Sequence, residues 1–404
     1  MAECLIKEPK KRLAIITTHP IQYNAPIFKL LEFRNIITLK VFYTWGKDVL
    51  KEKFDPGFNR DIEWDIPLLE GYEFEFVENI SVKKGSHHYN GINNPNLIRQ
   101  IQNYSPSAIL IYGWAFKSHL NSIRYFHNRI PVLFRGDSHL LDESGLVKSF
   151  LRNIFLRWVY SHIDFALYVG KNNADYFMKA GLKTNELIYA PHAIDNNRFA
   201  CDDDVCVQKA KKMKQQLNIP VQSFVFLFAG KLELKKDPET LIHAFLNAQT
   251  TEDVFLVIVG NGPLEDSLKK LGNSSQKVKF MGFQNQTDMP SVYRMADVFV
   301  LPSKGPGETW GLAVNEAMAA GVPVIVSNKC GGAYDLIDQS RNGFIFEAGD
   351  SNDLTAKINL MVENKQRIEM MGQEARRKIA SFCFETVAEN IENLLNSFPN
   401  KNSR

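Results

Sequence analysis

Cysteine is scarce in this chain of 404 residues, with five in all. Cys4, Cys201, Cys206, Cys330 and Cys383 are scattered and odd in number, and Cys201 and Cys206 lack a second pair or nearby histidines at zinc spacing. Disulfide and metal readings are set aside, and reduced thiols are the expectation. Long apolar runs are missing too. Nothing approaches the ~20 residues of a membrane-spanning helix, and the charged stretch 1–11 lacks the apolar centre of a signal peptide. A cytoplasmic protein is expected, with any membrane contact peripheral. Net charge is small, at +3. No nucleic-acid footprint is written in it, and no nucleic-acid partner is expected.

What is there alternates. Apolar runs of strand length recur between helical stretches at 12–18, 37–43, 108–112 and 131–135, then at 224–229, 254–259, 278–283 and 298–301. Such alternation reads as an α/β fold with parallel sheets, and its restart at Phe224 reads as a second domain. Cys201 to Asn218 is acidic and then rich in Lys and Gln, a surface linker with a short helix. Trp45 to Gly91 is polar and aromatic with little helical period. A buried hairpin or two with core aromatics is expected there, with His87, His88 and Tyr89 as acceptor-site candidates. Leu146 to Ile163 reads as a helix with Phe150, Leu151, Ile154, Phe155 and Trp158 at helical spacing among Lys148, Arg152 and Arg157. A basic amphipathic helix can lie on an anionic membrane. Burial of the stripe against the sheet is the commoner outcome and the expectation here.

One stretch carries chemistry. Val298 to Leu301 is a buried-strand run; a loop of Gly and Pro follows, with Glu308 at its exit. A helix of small residues runs over 312–320, Gly321 and Pro323 stop it, and the next strand follows at 322–326. A helix start at the C-terminal edge of a parallel strand is where open α/β sheets bind ligands. Gly311 and its neighbours can offer uncovered N–H groups there, and the helix dipole favours an anion. Glu316 lies inside the helix, roughly 9 Å along its axis if the helix opens near Thr309 or Trp310. Two carboxylates flanking an anion site suit a diphosphate with hydroxyls on both sides, as in a nucleotide sugar. The plain alternative is a helix-start charge and a solvated glutamate. Ala313, Ala317 and Ala320 make the helix close-packed, a poor place for an idle charge. Gly260-Asn-Gly-Pro263 is not a dinucleotide fingerprint, because Glu265 stands where the third glycine is required.

The string Gly307-Glu-Thr-Trp-Gly-Leu-Ala-Val-Asn-Glu316, continued by Ala-Met-Ala-Ala-Gly-Val-Pro-Val324, contains a Glu-x7-Glu pair. It closely resembles the signature of the retaining family-4 glycosyltransferases of GT-B fold. That resemblance implies two Rossmann-like domains facing each other across a cleft. Residues 1–200 would bind the acceptor, 201–222 would link, 223–381 would bind the nucleotide sugar, and 382–404 would return as a helix to the first domain. It implies that Glu308 contacts the donor sugar, that Glu316 binds the ribose, and that N–H groups from Gly311 through Leu312 to Ala313 hold the diphosphate. Gly230, Leu232 and Lys236 match the family string Gly-Arg-Leu-x3-Lys, with Lys231 in the arginine's place. Both lysines are expected to grip the diphosphate from across the cleft. Gly282 and Phe283 would wall the nucleobase, and Asp137 or His139 would lie by the donor sugar. His19, Gln22 and Tyr23 stand where the family often has a glycine-rich loop, a departure from its pattern, and are the acceptor candidates. Pro191-His-Ala-Ile-Asp195 resembles the family's inter-domain segment.

The implied reaction moves a sugar from a nucleoside-diphosphate donor to a glycan or lipid-linked acceptor, with retention, in cell-surface glycan synthesis. It calls for no cofactor and no metal. Two other readings compete: a sugar-nucleotide epimerase of the same fold, and a non-catalytic nucleotide-sugar sensor.

Overall fold

The computed structural model describes residues 10–50, 54–55, 57–142, 146–249 and 253–399. Its strands are β1 (Arg12–Thr17), β2 (Thr38–Tyr43), β3 (Phe54–Asp55), β4 (Arg60–Asp61), β5 (Glu73–Phe76), β6 (Ala108–Tyr112), β7 (Val132–Arg135), β8 (Phe165–Tyr168) and β9 (Leu187–Tyr189) in the first half. The second half supplies β10 (Phe224–Ala229), β11 (Val254–Val259), β12 (Val278–Met281), β13 (Val298–Leu301), β14 (Val324–Ser327) and β15 (Gly343–Phe346). One sheet runs β5-β2-β1-β6-β7-β8-β9 and the other β12-β11-β10-β13-β14-β15. Every pairing in both is parallel; among the described residues only the two-residue ribbon β3–β4 is antiparallel.

Successive side chains leave a strand on opposite faces, so a strand covered on both sides reads as a continuous apolar run. In β10 that logic is visible residue by residue. Val225, Leu227 and Ala229 join one core layer, while Phe224, Phe226 and Phe228 join the other. In β1, Leu13 and Ile15 divide from Ala14 and Ile16 in the same way. The strand order reverses beside β1 and beside β10. Crevices open at the C-terminal ends of the strands at such points. The loops after β1, β10 and β13 therefore meet between the sheets.

The helix Phe384–Ser397 does not pack on the sheet that precedes it. It lays Val387, Ala388, Ile391 and Leu395 into the core of the first sheet, and Glu392 pairs with Arg34 at 3.0 Å.

Several sequence expectations need correction. No buried hairpin forms in 45–91 among the described residues. Glu73–Phe76 is a parallel edge strand of the main sheet, Tyr72, Phe74 and Phe76 pack in the first core, and the ribbon β3–β4 lies at the cleft. The linker helix is longer than expected, Asp204–Gln216, capped by the Asp203 side chain. The helix Leu146–Tyr160 also departs from expectation: Leu156, Val159 and Tyr160 are buried, but Phe150, Leu151, Ile154, Phe155 and Trp158 are exposed. The sheet takes up the opposite face of that helix.

Candidate active site

The site begins at the turn after β13. Gly311 has φ of 92° and ψ of 57°. A Cβ there would fall 2.5 Å from Cys330 Sγ and 2.9 Å from Leu301 Cδ2, so both the dihedral and the space require glycine. That turn starts the helix Leu312–Ala319, whose N-terminus carries no side-chain cap. Val314 N–H donates to Gly311 O at 2.8 Å. The N–H groups of Leu312 and Ala313 precede that bond, and both residues line the cavity between the domains. The helix opens at Leu312, as its run of small residues suggested, which places Glu316 roughly 6 Å along it rather than the roughly 9 Å reckoned from a start near Trp310.

Both glutamates of the pair line this cavity, which has a volume of about 410 Å³. Glu308 Oε2 accepts from Lys236 Nζ at 2.5 Å and from Ser303 Oγ at 2.7 Å. Glu316 is buried deeper. Its Oε1 accepts from Tyr23 O–H at 2.9 Å, and its Oε2 from Tyr293 O–H at 2.8 Å. Burial raises the Glu316 pKa above the usual carboxylate value, with the two phenols pulling the other way.

The lysines do not approach from across the cleft. β10 is hydrogen-bonded to β13, so Lys231 and Lys236 flank the helix start from its own domain. What reaches over is Asp55. It holds Lys231 Nζ at 2.9 and 3.0 Å, with the Phe58 ring 5.1 Å from the same ammonium. The short turn Leu234–Lys236 aims Lys236 at Glu308 instead.

Asp137 and His139 separate cleanly. Asp137 lines the cavity and accepts from Thr309 Oγ1 at 2.8 Å, with His192 Nε2 at 3.6 Å. Burial opposes its charge, but His192 and the threonine hydroxyl hold its pKa well below the usual range. His192 is itself kept low by burial. His139 is outside the cavity wall. Leu141 N–H donates to its Nδ1 at 3.2 Å, which leaves Nε2–H to donate to Glu308 O, also at 3.2 Å. It clips the Glu308 peptide from behind.

In the first domain, Gln22 and Tyr23 line the cavity and His19 does not. His19 bonds Thr18 Oγ1 at 2.8 Å and stands edge-on to Trp45 with centroids 5.3 Å apart; burial lowers it to about 4. Gly230 and Phe283 are in the wall, and Gly282 is not. Phe58 meets Phe283 edge-on at 5.0 Å and Arg60 stacks on that ring at 5.0 Å. His87, His88 and Tyr89 are exposed away from the cavity. Sequence reasoning missed Asp55, His192 and Tyr293, and took Trp64 only as one of the core aromatics of 45–91, whereas it lines the cavity. His192 had a signal, because it lies in the string taken only as an inter-domain segment; Asp55 and Tyr293 had none.

Residues 209–378 match the family model described as "Glycosyl transferases group 1". That match covers less than half of the chain, and the two facing parallel-sheet units form the GT-B fold. It is 31% identical over 141 residues to the sulfoquinovosyl transferase SQD2 of Arabidopsis thaliana, covering 34% of this chain and 27% of that protein. It is 27% identical over 252 residues to a GDP-mannose-dependent monoacylated alpha-(1-6)-phosphatidylinositol monomannoside mannosyltransferase of Corynebacterium glutamicum, covering 60% of this chain and 65% of that one. The chain thus spans less than two thirds of either relative. The crystal structure of Anabaena Alr3699/HepE in complex with UDP superposes with a TM-score of 0.70 at 20% identity, over 96% of this chain and all of that one.

Proposed function

We propose that this protein is a retaining glycosyltransferase, moving a sugar from a nucleoside-diphosphate donor to an acceptor hydroxyl. The observation that carries this reading is one cavity lined together by Glu308, Lys236, the free helix start at Leu312 and Ala313, and Glu316. The helix N–H groups and dipole suit a diphosphate. Lys236 and Lys231, after exchanging their carboxylate partners, would meet the charge that develops as the leaving group departs, so the reaction calls on no resident metal. Glu308 would orient the sugar hydroxyls and Glu316 the ribose.

The bond from the anomeric carbon to the diphosphate oxygen breaks, and a bond to the acceptor oxygen forms on the same face. The acceptor's proton leaves with the diphosphate. No protein nucleophile is assigned. The GDP-mannose dependence named for one relative and the UDP named for one neighbour support a nucleotide-sugar donor. The phosphatidylinositol monomannoside in the first of those names supports a lipid-linked acceptor.

Calorimetry of the purified protein against nucleoside diphosphates and nucleotide sugars tests the site. Glu316→Ala and Lys236→Ala are each expected to weaken the response at least about tenfold, the loss of one charge-assisted bond. Equal responses in both variants would remove the assignment. Product analysis with donor alone, then with added sugar or lipid-linked acceptors, separates transfer from epimerisation and from binding without turnover.

A further inference from the structure

The helix Leu146–Tyr160 presents an apolar face that no described part of the chain covers. Relative exposures are 67% for Phe150, 62% for Leu151, 54% for Ile154, 42% for Phe155 and 40% for Trp158. At about 100° per residue these five occupy one continuous arc of roughly 140°, opposite the buried Leu156, Val159 and Tyr160. Scattered exposed apolar residues need no explanation, but five contiguous large ones do.

The helix and the stretch 113–136 carry side-chain charge of one sign. No Asp or Glu occurs between Gly113 and Gly136, nor between Leu146 and Ile163. Those two stretches supply the exposed Arg124, Arg129, Arg152 and Arg157. Arg124 stacks on Trp158 at 5.6 Å, tying the basic rim to the apolar face. Phe155 meets Trp114 edge-on at 5.4 Å, and Trp114 lies one residue beyond Gly113, past the C-terminal end of β6, the edge of the sheet that faces the cleft. Just before the helix, Asp142 accepts from Gly307 N–H of the second domain at 3.0 Å. The arc therefore adjoins the mouth of the cleft.

We propose that this face docks the protein on an anionic lipid bilayer, with the five apolar side chains entering the interface and the arginines meeting headgroup phosphates. A second copy of the chain is the weaker partner, because the surface would set arginines against arginines. An anionic bilayer matches both the apolar arc and the uniform charge. The helix lies in the membrane plane and does not cross it; none of the described helices is long and apolar enough to span. Docking there brings the cleft mouth to the headgroup layer, where a lipid-linked hydroxyl would enter. That last consequence rests on the glycosyl-transfer reading; the docking does not.

The test is flotation of the full chain with phosphatidylcholine vesicles, with and without phosphatidylglycerol. Binding is expected only with the anionic lipid and is expected to weaken at high salt. Reversal by Arg152→Glu with Arg157→Glu should cut binding by more than about tenfold. Phe150→Ser, Leu151→Ser and Ile154→Ser together should abolish it while leaving thermal unfolding and the nucleotide response intact. Equal binding to neutral and anionic vesicles, or none to either, would overturn the proposal. So would concentration-dependent self-association in sedimentation that the triple serine variant removes. A protein that floats normally but ignores every nucleotide would instead sink the glycosyl-transfer reading and spare this one.

Discussion

Glu316 is a buried carboxylate whose two oxygens are already taken, one by a phenol from each domain. A ribose diol recognised by this side chain competes with these phenols for its lone pairs. Tyr293 lies in the helix Met289–Arg294, in the same domain as Glu316, and moves with it. Tyr23 comes from the opposite domain and is the partner free to leave. Tyr23→Phe removes that competitor and should tighten nucleoside-diphosphate binding by up to about tenfold, the worth of one hydrogen bond of ~1.4 kcal/mol. Weaker binding in the same titration would assign the Tyr23 hydroxyl to the ligand itself.

The protonation of Glu316 supplies a second residue-scale prediction. Burial raises its pKa above the ordinary value of 4.5, so the folded state holds a proton that the unfolded chain gives up. Its contribution is intact below the unfolded value and is lost as pH rises through the folded one. Glu316→Gln carries no such loss. Its thermal midpoint relative to the parent should climb from about pH 4.5 upward, while its nucleotide response falls. A midpoint difference flat with pH in paired melting curves would show that the carboxyl is not strained by burial.

At the scale of elements, the ribbon β3–β4 stands over the part of the cleft where the proposed donor's base would lie. Asp55 occupies Lys231, and Phe58 leans on Phe283. The ion pair is about a third exposed, so it contributes no more than ~1 kcal/mol. Asp55→Ala should free Lys231 for the diphosphate and raise affinity by up to about fivefold at low salt, with the gain shrinking as salt screens it. Unchanged affinity at every ionic strength would mean that Lys231 does not reach the ligand.

The same elements show what a sequence can disclose. β1, β6, β10, β11 and β13 were legible because strands buried on both faces must be apolar throughout. The start of the helix Leu312–Ala319 was legible because glycine, proline and two glutamates fall together. β5 was hidden, since Glu73-Phe-Glu-Phe76 is an edge strand whose charges pair with Lys40. The direction of the lysines was misread because it depends on β10 lying beside β13, which strand order settles and local pattern does not. Asp55 and Tyr23 could not be read as partners of Lys231 and Glu316 for a related reason. Each pair joins residues far apart in sequence that only the docking of two domains brings together.

For the whole molecule, docking is held by bonds that cross the cleft: Tyr23 to Glu316, Lys231 to Asp55, Thr309 to Asp137, and Lys171 N–H to Asp335 at 3.0 Å. Under the proposed function, a donor walled from both sides would enter when these open, and closure would then exclude water. The chain passes between domains near Asn196 and again near Phe382, and the Asn196 side chain donates to Ile379 O and Phe382 O at 3.3 Å, tying the two crossings together. Because the helix Phe384–Ser397 is anchored in the first core, the second domain is tethered at both ends, which favours rotation about this paired hinge over free tumbling. Ile391→Ala tests the anchor. Ile391 is 1% exposed in that core, and truncation there should cost about 2–4 kcal/mol. The urea midpoint should drop accordingly, although the residue lies at the far end of the sequence from the strands it supports. Nucleotide binding by the second domain should survive, but closure should loosen, with a larger radius of gyration for the ligand-free protein in solution scattering. A midpoint matching the parent's would mean that the last helix only rests on the first domain, and the paired hinge would lose its second arm.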